Sequence, residues 1–395
     1  MNDNDVVIVS AARTPIGKFQ GTFQAVTAPE LGAVAIGAAL ARAGVDPGAV
    51  DEVLMGNVLQ AGVGQAPARQ AAMGAGMPSS VSATTVNKVC GSGLKTVMMA
   101  AQAIRAGDAN LIVAGGMENM NQAPYLLPGA RFGYRLNSQT VLDAMIHDGL
   151  WCPFEQQHMG HSAEWIARRY AVSRGAQDDW ALESHRRALA AQQQGRFAAE
   201  IAPVTVARKR QTVAVDADET PRSDTSAEAL AALKPIFDET GTVTAGNSSP
   251  ISDGAAALVV CSAAFAHAHG LDPLARVIGY AQAAVDPIAI FGAPIHAVRR
   301  LAEKLKRAVT DFDLVEINEA FAAQTVADVQ ELGLDPQRVN VNGGAIALGH
   351  PLGCSGAKLM ATLLNELERT GGRWGLQTMC EGAGMANATI IERLD

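Results

Sequence analysis

The chain has 395 residues, 48% hydrophobic and 5% aromatic, with 39 Asp and Glu against 31 Lys and Arg for a formal net charge of -8. Such a length supports two or three domains with large cores; the negative balance gives no electrostatic footprint for nucleic acid, and no apolar run reaches the roughly 18 residues of a membrane helix. Five cysteines, at 90, 152, 261, 354 and 380, are odd in number and widely spread, which argues against a disulfide scaffold and for a reducing compartment.

In chain order, MNDNDVVIVS offers no basic start, apolar h-region or cleavage site, so a cytoplasmic protein is expected. The helical stretch LGAVAIGAALARAG leads into a buried strand, VDEVLMGNVL. Ala83 to Val89 read as a short strand; after Cys90, residues Leu94, Val97, Met98, Ala101 and Ile104 recur at helical spacing up to Gly107. Cys90 therefore sits at a helix N-terminus, where unpaired N–H groups and the helix dipole favour thiolate over thiol and the flanking glycines leave a substrate room. A small buried core cysteine is the competing reading. ANLIVAGGMENM follows as another strand.

Asn121 to Ile251 reads as an inserted domain or long lid, rich in helix formers around Ala163 to Ala199 and carrying the charged run Arg208 to Arg210. Within it, His158 is open on its chemistry between packing and ligand contact. The chain rejoins the sheet at DGAAALVVCSAA, a buried strand, and His267 and His269 just beyond suit a surface or capping role better than a metal. Then PIHAVRRLAEKLKRA leads into FDLVEINEAF, as the first helix led into VDEVLMGNVL. VNKVCGSGLKTVMMAAQAI likewise corresponds to GHPLGCSGAKLMATLLNEL, and ANLIVAGGMENM to GLQTMCEGAGMAN.

This repeat means a duplicated α/β domain in which strand, helix, strand units form parallel layers. Residues 1–120 with 252–273 would make the N-terminal domain, 121–251 the insertion and 274–395 the C-terminal domain. Equivalent strand-to-helix turns would then meet at one edge of the sheets, where open α/β folds hold ligands. Cys90, Asn318, His350 and Cys380 are expected to converge there from separate loops. No GxxxxGK[ST], GxGxxG or G-x-S-x-G motif is present, so phosphate-loop, dinucleotide and α/β-hydrolase readings have no support. No metal is expected, and Cys152, Cys261 and Cys354 read as packing.

CGS at 90–92, NEAF at 318–321, GHP at 349–351 and C-x-G at 380–382 resemble, in order and spacing, the four active-site motifs of the thiolases, as do flanking segments such as SAARTPIGKF and VNVNGGAIALGHPLG. The resemblance spans essentially the whole chain. It implies the duplicated five-layered α/β/α/β/α thiolase fold, assembly as a homodimer or homotetramer, and thioester chemistry on coenzyme A with acyl-CoA substrates and no further cofactor. Cys90 would be the nucleophile, His350 would take its proton, and Cys380 would be the general acid and base. Asn318, holding a water together with His350, would stabilise an enolate oxygen, and the N–H groups of Cys90 and Gly382 an acyl oxyanion. The insertion would hold coenzyme A, with Arg222 near the nucleotide, Ser249 near the pantetheine amides, and Met159 and Phe321 along the channel. His158-Met159-Gly160 resembles the short-chain branch, in which the histidine narrows the acyl pocket, and so favours acetyl-CoA acetyl transfer. The rivals are a degradative 3-ketoacyl-CoA thiolase of fatty-acid metabolism and a non-catalytic acyl-CoA binding protein. Ala229, Glu381 and Ala383 depart from residues common among thiolases.

Overall fold

The computed structural model describes residues 2–208 and 211–394; Lys209 and Arg210 of the charged run, and the side chain of Arg208, lie outside the described residues. The N-terminal half contributes β1 (Val6–Arg13), α1 (Ala28–Ala43), β2 (Glu52–Gly56), α2 (Pro67–Gly74), β3 (Ser82–Val86), α3 (Ser92–Ala106), β4 (Leu111–Asn119) and, after the insertion with α4 (Met159–Arg169) and α5 (Arg174–Gln193), β5 (Ser252–Ser262). The C-terminal half supplies β6 (Ala275–Ala284), α6 (Ala293–Leu305), β7 (Leu314–Ile317), α7 (Ala322–Leu332), α8 (Ser355–Thr370), β8 (Trp374–Glu381) and β9 (Met385–Arg393). Local signals explain the boundaries. Thr27 accepts from the Glu30 N–H while Glu30 accepts from the Thr27 N–H, a capping box that starts α1, and Gly44 at φ 64° ends it.

The strands run β3-β2-β4-β5-β1 and then β6-β9-β8-β7, so the second half repeats the order of the first. A parallel bridge from Val315 to Val339 adds a counterpart to β3. The two halves of this sheet are joined where β1 pairs with β6, Val7 with Arg276 and Ile8 with Ala275. The sheets are mixed: β2 is parallel to β3 and β4, and β7 to β8, as strand, helix, strand units demand, but β5 and β9 are antiparallel to both their neighbours.

Three apolar layers hold the halves together. In β5, Ala255, Ala257, Val259 and Cys261 pack towards α1 and α2, while Ala256, Leu258 and Val260 face the central layer, where α3 and α8 lie between both sheets. Such two-faced burial is why the strand reads as a continuous apolar run. The third layer packs α6 and α7 on the C-terminal sheet. The order is therefore α/β/α/β/α, with α3 and α8 shared.

One expectation shifts. The strand before Cys90 ends at Val86 rather than Val89, because Val89 takes a left-handed φ of 48° that no extended strand accommodates. The helix formers of the insertion make up two helices, separated where Ala171 adopts φ 52°. The chain leaves the sheet after Asn119 and returns at Asp253, directly opposite it. Among the described residues, no helix is long and apolar enough to cross a membrane.

Candidate active site

Four loops converge at the ends of β3, β7 and β8 and the start of α8. The turn bearing Cys90 is closed by Ser92 of the CGS motif. Its Oγ accepts from the Lys88 N–H at 2.8 Å and donates to the Val89 carbonyl at 2.6 Å, which sets Cys90 immediately before the Gly91 cap of α3. Cys90 is partly accessible through the cavity it faces but otherwise enclosed by protein, and that burial, with Glu381 next in effect, pushes its thiol up to about 12. Burial therefore works against the thiolate that the helix terminus alone would favour. The backbone N–H groups of Cys90 and Gly382 lie close enough to the Cys90 sulfur to counter part of that rise, so two donors flank the place where an acyl oxygen on that sulfur would lie.

His350 is buried and held on both sides. Ser355 Oγ donates to the Pro351 carbonyl at 2.8 Å, so its contact at 2.6 Å with His350 Nδ1 requires the proton on Nδ1 and leaves Nε2 as the basic nitrogen. Burial, followed by the nearby Lys358, lowers His350 to about 3, and the imidazole is neutral across the ordinary pH range. Asn318, one residue beyond β7, places Nδ2 3.4 Å from Nε2, and its own Oδ1 is buried without a hydrogen-bond partner. Cys380 lies in the last two residues of β8; burial first, then Cys90, raise its thiol well above the usual range.

Residues to which the sequence reading gave no role hold these loops. Glu118 accepts from Asn57 Nδ2 at 2.8 Å, from the N–H groups of Val58 and Leu59, and from Gly353 N–H at 2.8 Å, thereby fastening the loop after His350 to the N-terminal sheet. Glu319 accepts from Trp180, Ser184, Asn340 and the Ile346 N–H, tying NEAF to α5 and to the segment before His350. Lys358 donates to the Gly349 carbonyl at 3.1 Å. A fully buried carboxylate in an apolar strand was the available signal for Glu118.

A largely apolar cavity of about 490 Å³ is lined by Cys90, His350, Cys380 and Gly382 at its floor and by His158, Met159, Phe237, Ser249 and Phe321 along its walls. Ser249 N–H donates to the Ala320 carbonyl, joining the insertion to the NEAF loop. His158 stacks on Phe237 with ring centroids 4.8 Å apart, and burial keeps it below its ordinary range, hence neutral. Arg222 is not in this cavity. It lines an adjoining one of about 610 Å³ with Lys18, His185 and Ala229, and the two share Ala245, Ser248 and Pro250. Asn318 stands behind His350 instead of lining the wall. Among the described residues, no cluster of three or more His, Cys, Asp or Glu could hold a metal.

The family model for the thiolase N-terminal domain matches residues 6–264, and that for the thiolase C-terminal domain matches 271–393. The chain belongs to the thiolase family. It is 53% identical over 390 residues to an acetyl-CoA acetyltransferase of Cupriavidus necator, covering 98% of this chain and 99% of that one, and 52% identical with the same coverage to one of Pseudomonas aeruginosa. The crystal structure of the Bacillus anthracis acetyl-CoA acetyltransferase superposes with a TM-score of 0.97 at 43% identity, covering 99% of both chains. Against the thiolase pattern, Ala383 is a non-glycine at φ 65°, a conformation held by its surroundings at a cost of order 1–3 kcal/mol. Ala229 faces the outer cavity with no hydroxyl to offer.

Proposed function

We propose that this thiolase is an acetyl-CoA C-acetyltransferase, joining two acetyl-CoA into acetoacetyl-CoA and free CoA through an acyl-Cys90 intermediate, reversibly. The observation that carries this reading is the pair of thiols, Cys90 and Cys380, on one cavity floor with the N–H groups of Cys90 and Gly382 gathered at the Cys90 sulfur. Since both thiols rest protonated, Cys90 attacks the thioester as His350 Nε2 takes its proton. The departing CoA sulfur takes the Cys380 proton, which leaves Cys380 as the thiolate that removes an α-proton from the second acetyl-CoA. The enolate, its oxygen facing His350 and a water that Asn318 would help hold, attacks the acyl carbonyl, and the expelled Cys90 sulfur recovers its proton from His350. Every proton is accounted for within the site, so the reading calls for no cofactor beyond the CoA thioesters. Each oxyanion donor contributes about 2.7–4 kcal/mol.

The joined cavities suit the two ends of coenzyme A, with the nucleotide near Arg222 and the pantetheine passing Ser249, Met159 and Phe321. The stacked pair His158 and Phe237 supports a short acyl pocket. Thiolysis of 3-ketoacyl-CoA from four to sixteen acyl carbons is expected to be fastest at four, since each further methylene meets filled volume rather than gaining about 0.8 kcal/mol of burial. Replacing His158 with alanine should slow acetoacetyl-CoA turnover and relax discrimination against six and eight carbons. A wild-type kcat/KM that climbs from four to eight carbons would instead assign the chain to the degradative branch.

A homodimer or homotetramer is supported by two exposed features. β3 pairs only with β2 and stands half exposed at the sheet edge, and the segment after β4 exposes Tyr125, Leu127, Phe132 and Leu136. The free cysteines support a reducing, cytoplasmic setting.

A further inference from the structure

The two catalytic turns come from different halves of the fold, and one buried ion pair joins them. Lys88, two residues before Cys90, reaches across to the C-terminal half. Its Nζ lies 2.6 Å from Glu381 Oε2 in an ion pair and donates to Asn387 Oδ1 at 2.7 Å and to Gln282 Oε1 at 2.9 Å, which ties it to β8, β9 and β6. Glu381 lies between Cys380 and Gly382, is fully buried, and has no hydrogen-bond partner at either carboxylate oxygen, so the Lys88 ammonium is the charge that balances it at contact distance. The turns also interlock sterically. A Cβ at Gly91 would fall 1.9 Å from Glu381 Oε1, and one at Gly382 would fall 2.8 Å from Val89 Cγ1. Both turns use left-handed residues that bear side chains, Val89 at φ 48° and Ala383 at φ 65°, which neighbours must hold in place.

We infer that Lys88 and Glu381 form a positioning pair that fixes the Gly382 N–H and the Cys380 thiol against the Cys90 sulfur, so that breaking it slows acyl transfer without loosening CoA binding. Neither side chain reacts; they act through the residues on either side. Misplacing the donor or the thiol by a fraction of an ångström leaves Arg222 and Ser249 untouched but spoils the alignment on which attack depends. The pair also sets the local field. The groups around the Glu381 carboxylate are Lys88 and Lys95 on the nucleophile side and the thiols Cys90 and Cys380, with Glu118 and Asp328 behind the thiols. Burial pushes Glu381 up to about 7, so above that pH its negative charge opposes ionisation of both thiols.

This inference rests on Cys90 being the acyl acceptor, and the test separates the two. K88M, E381Q and the apolar double variant K88M/E381L are compared with wild type by quenched-flow mass spectrometry of Cys90 acetylation by acetyl-CoA, together with KM for acetyl-CoA. Each single variant should acetylate about 10- to 10²-fold more slowly with KM nearly unchanged. The double variant should be no slower than the worse single, as partners in one interaction behave. Cys90 alkylation by iodoacetamide in E381Q should move to lower pH, because a like charge has been removed; a purely structural pair predicts no such shift. Single variants acetylating at the wild-type rate, losses that multiply in the double, or an unmoved alkylation profile would overturn the positioning role. A wild-type enzyme that acetylates a cysteine other than Cys90 would overturn the underlying reading instead.

Discussion

Replacing Cys90 with alanine is expected to abolish condensation and thiolysis together, by about 10⁶-fold, the order found when a covalent nucleophile is deleted. The expectation follows from the position of the sulfur on the cavity floor beneath two backbone donors. In wild type, acetyl-CoA should add an acetyl group to the Cys90 peptide and release one equivalent of free CoA. The variant should do neither while still binding the thioester, since the cavities near Arg222 and Ser249 are untouched. Peptide mass spectrometry and a CoA assay decide. Because the resting thiol lies near 12, unassisted alkylation by iodoacetamide should keep rising with pH through the alkaline range instead of levelling near neutrality. Acetylation of Cys152, Cys261 or Cys354 with Cys90 untouched would discard the mechanism.

The parts of the fold legible in the sequence were those whose signals are local. An apolar run such as that of β5 announces burial on both faces, and the spacing after Cys90 announces α3, because each depends on neighbours a few residues away. The repeat was legible because both halves solve the same packing problem with the same order of elements. The antiparallel course of β5 and β9 was not, since strand direction depends on partners brought in from elsewhere in the chain. Nor was the short β3: Val89 is a good strand former, and only the tertiary demand for a tight turn under Cys90 drives it to a positive φ.

At the site, the reactive side chains were legible as types within motifs, while their states were not. A helix N-terminus suggested a thiolate at Cys90, yet the field there is set by burial and by Glu381, which sequence separates from it by most of the chain. The carboxylates that brace the loops were hidden for the same reason. Glu118 gathers donors from the loop after β2 and the loop after His350, an arrangement that no spacing encodes. Glu381 was visible as a departure from the thiolase pattern, but the cation that accommodates it, Lys88, is visible only once the two halves are folded together.

Replacing Cys380 with serine should divide the reaction into its two halves. Bond formation in acylation needs the Cys90 sulfur, the His350 nitrogen and the paired N–H groups, all of which remain, and the CoA thiolate, a good leaving group, can take its proton from solvent in place of Cys380, so acetyl-Cys90 should still form from acetyl-CoA, though more slowly. Carbon–carbon bond formation also needs a base to take an α-proton, and a serine hydroxyl, far less acidic than a thiol, cannot be that base at neutral pH. Condensation and exchange of the acetyl-CoA α-protons with deuterated water should therefore fall by about 10²- to 10⁴-fold, the usual contribution of a general acid or base. The structure adds a condition on that role. Burial and the neighbouring Cys90 hold the Cys380 thiol protonated at rest, so wild-type α-proton exchange should be slow until the departing CoA sulfur has taken its proton. Exchange monitored by mass spectrometry should then lag behind acetyl-Cys90 formation in wild type and fall by that same factor in the serine variant. Exchange at the wild-type rate in Cys380→Ser would move the base to another group, and His350 Nε2, free of its own proton at rest, would take its place.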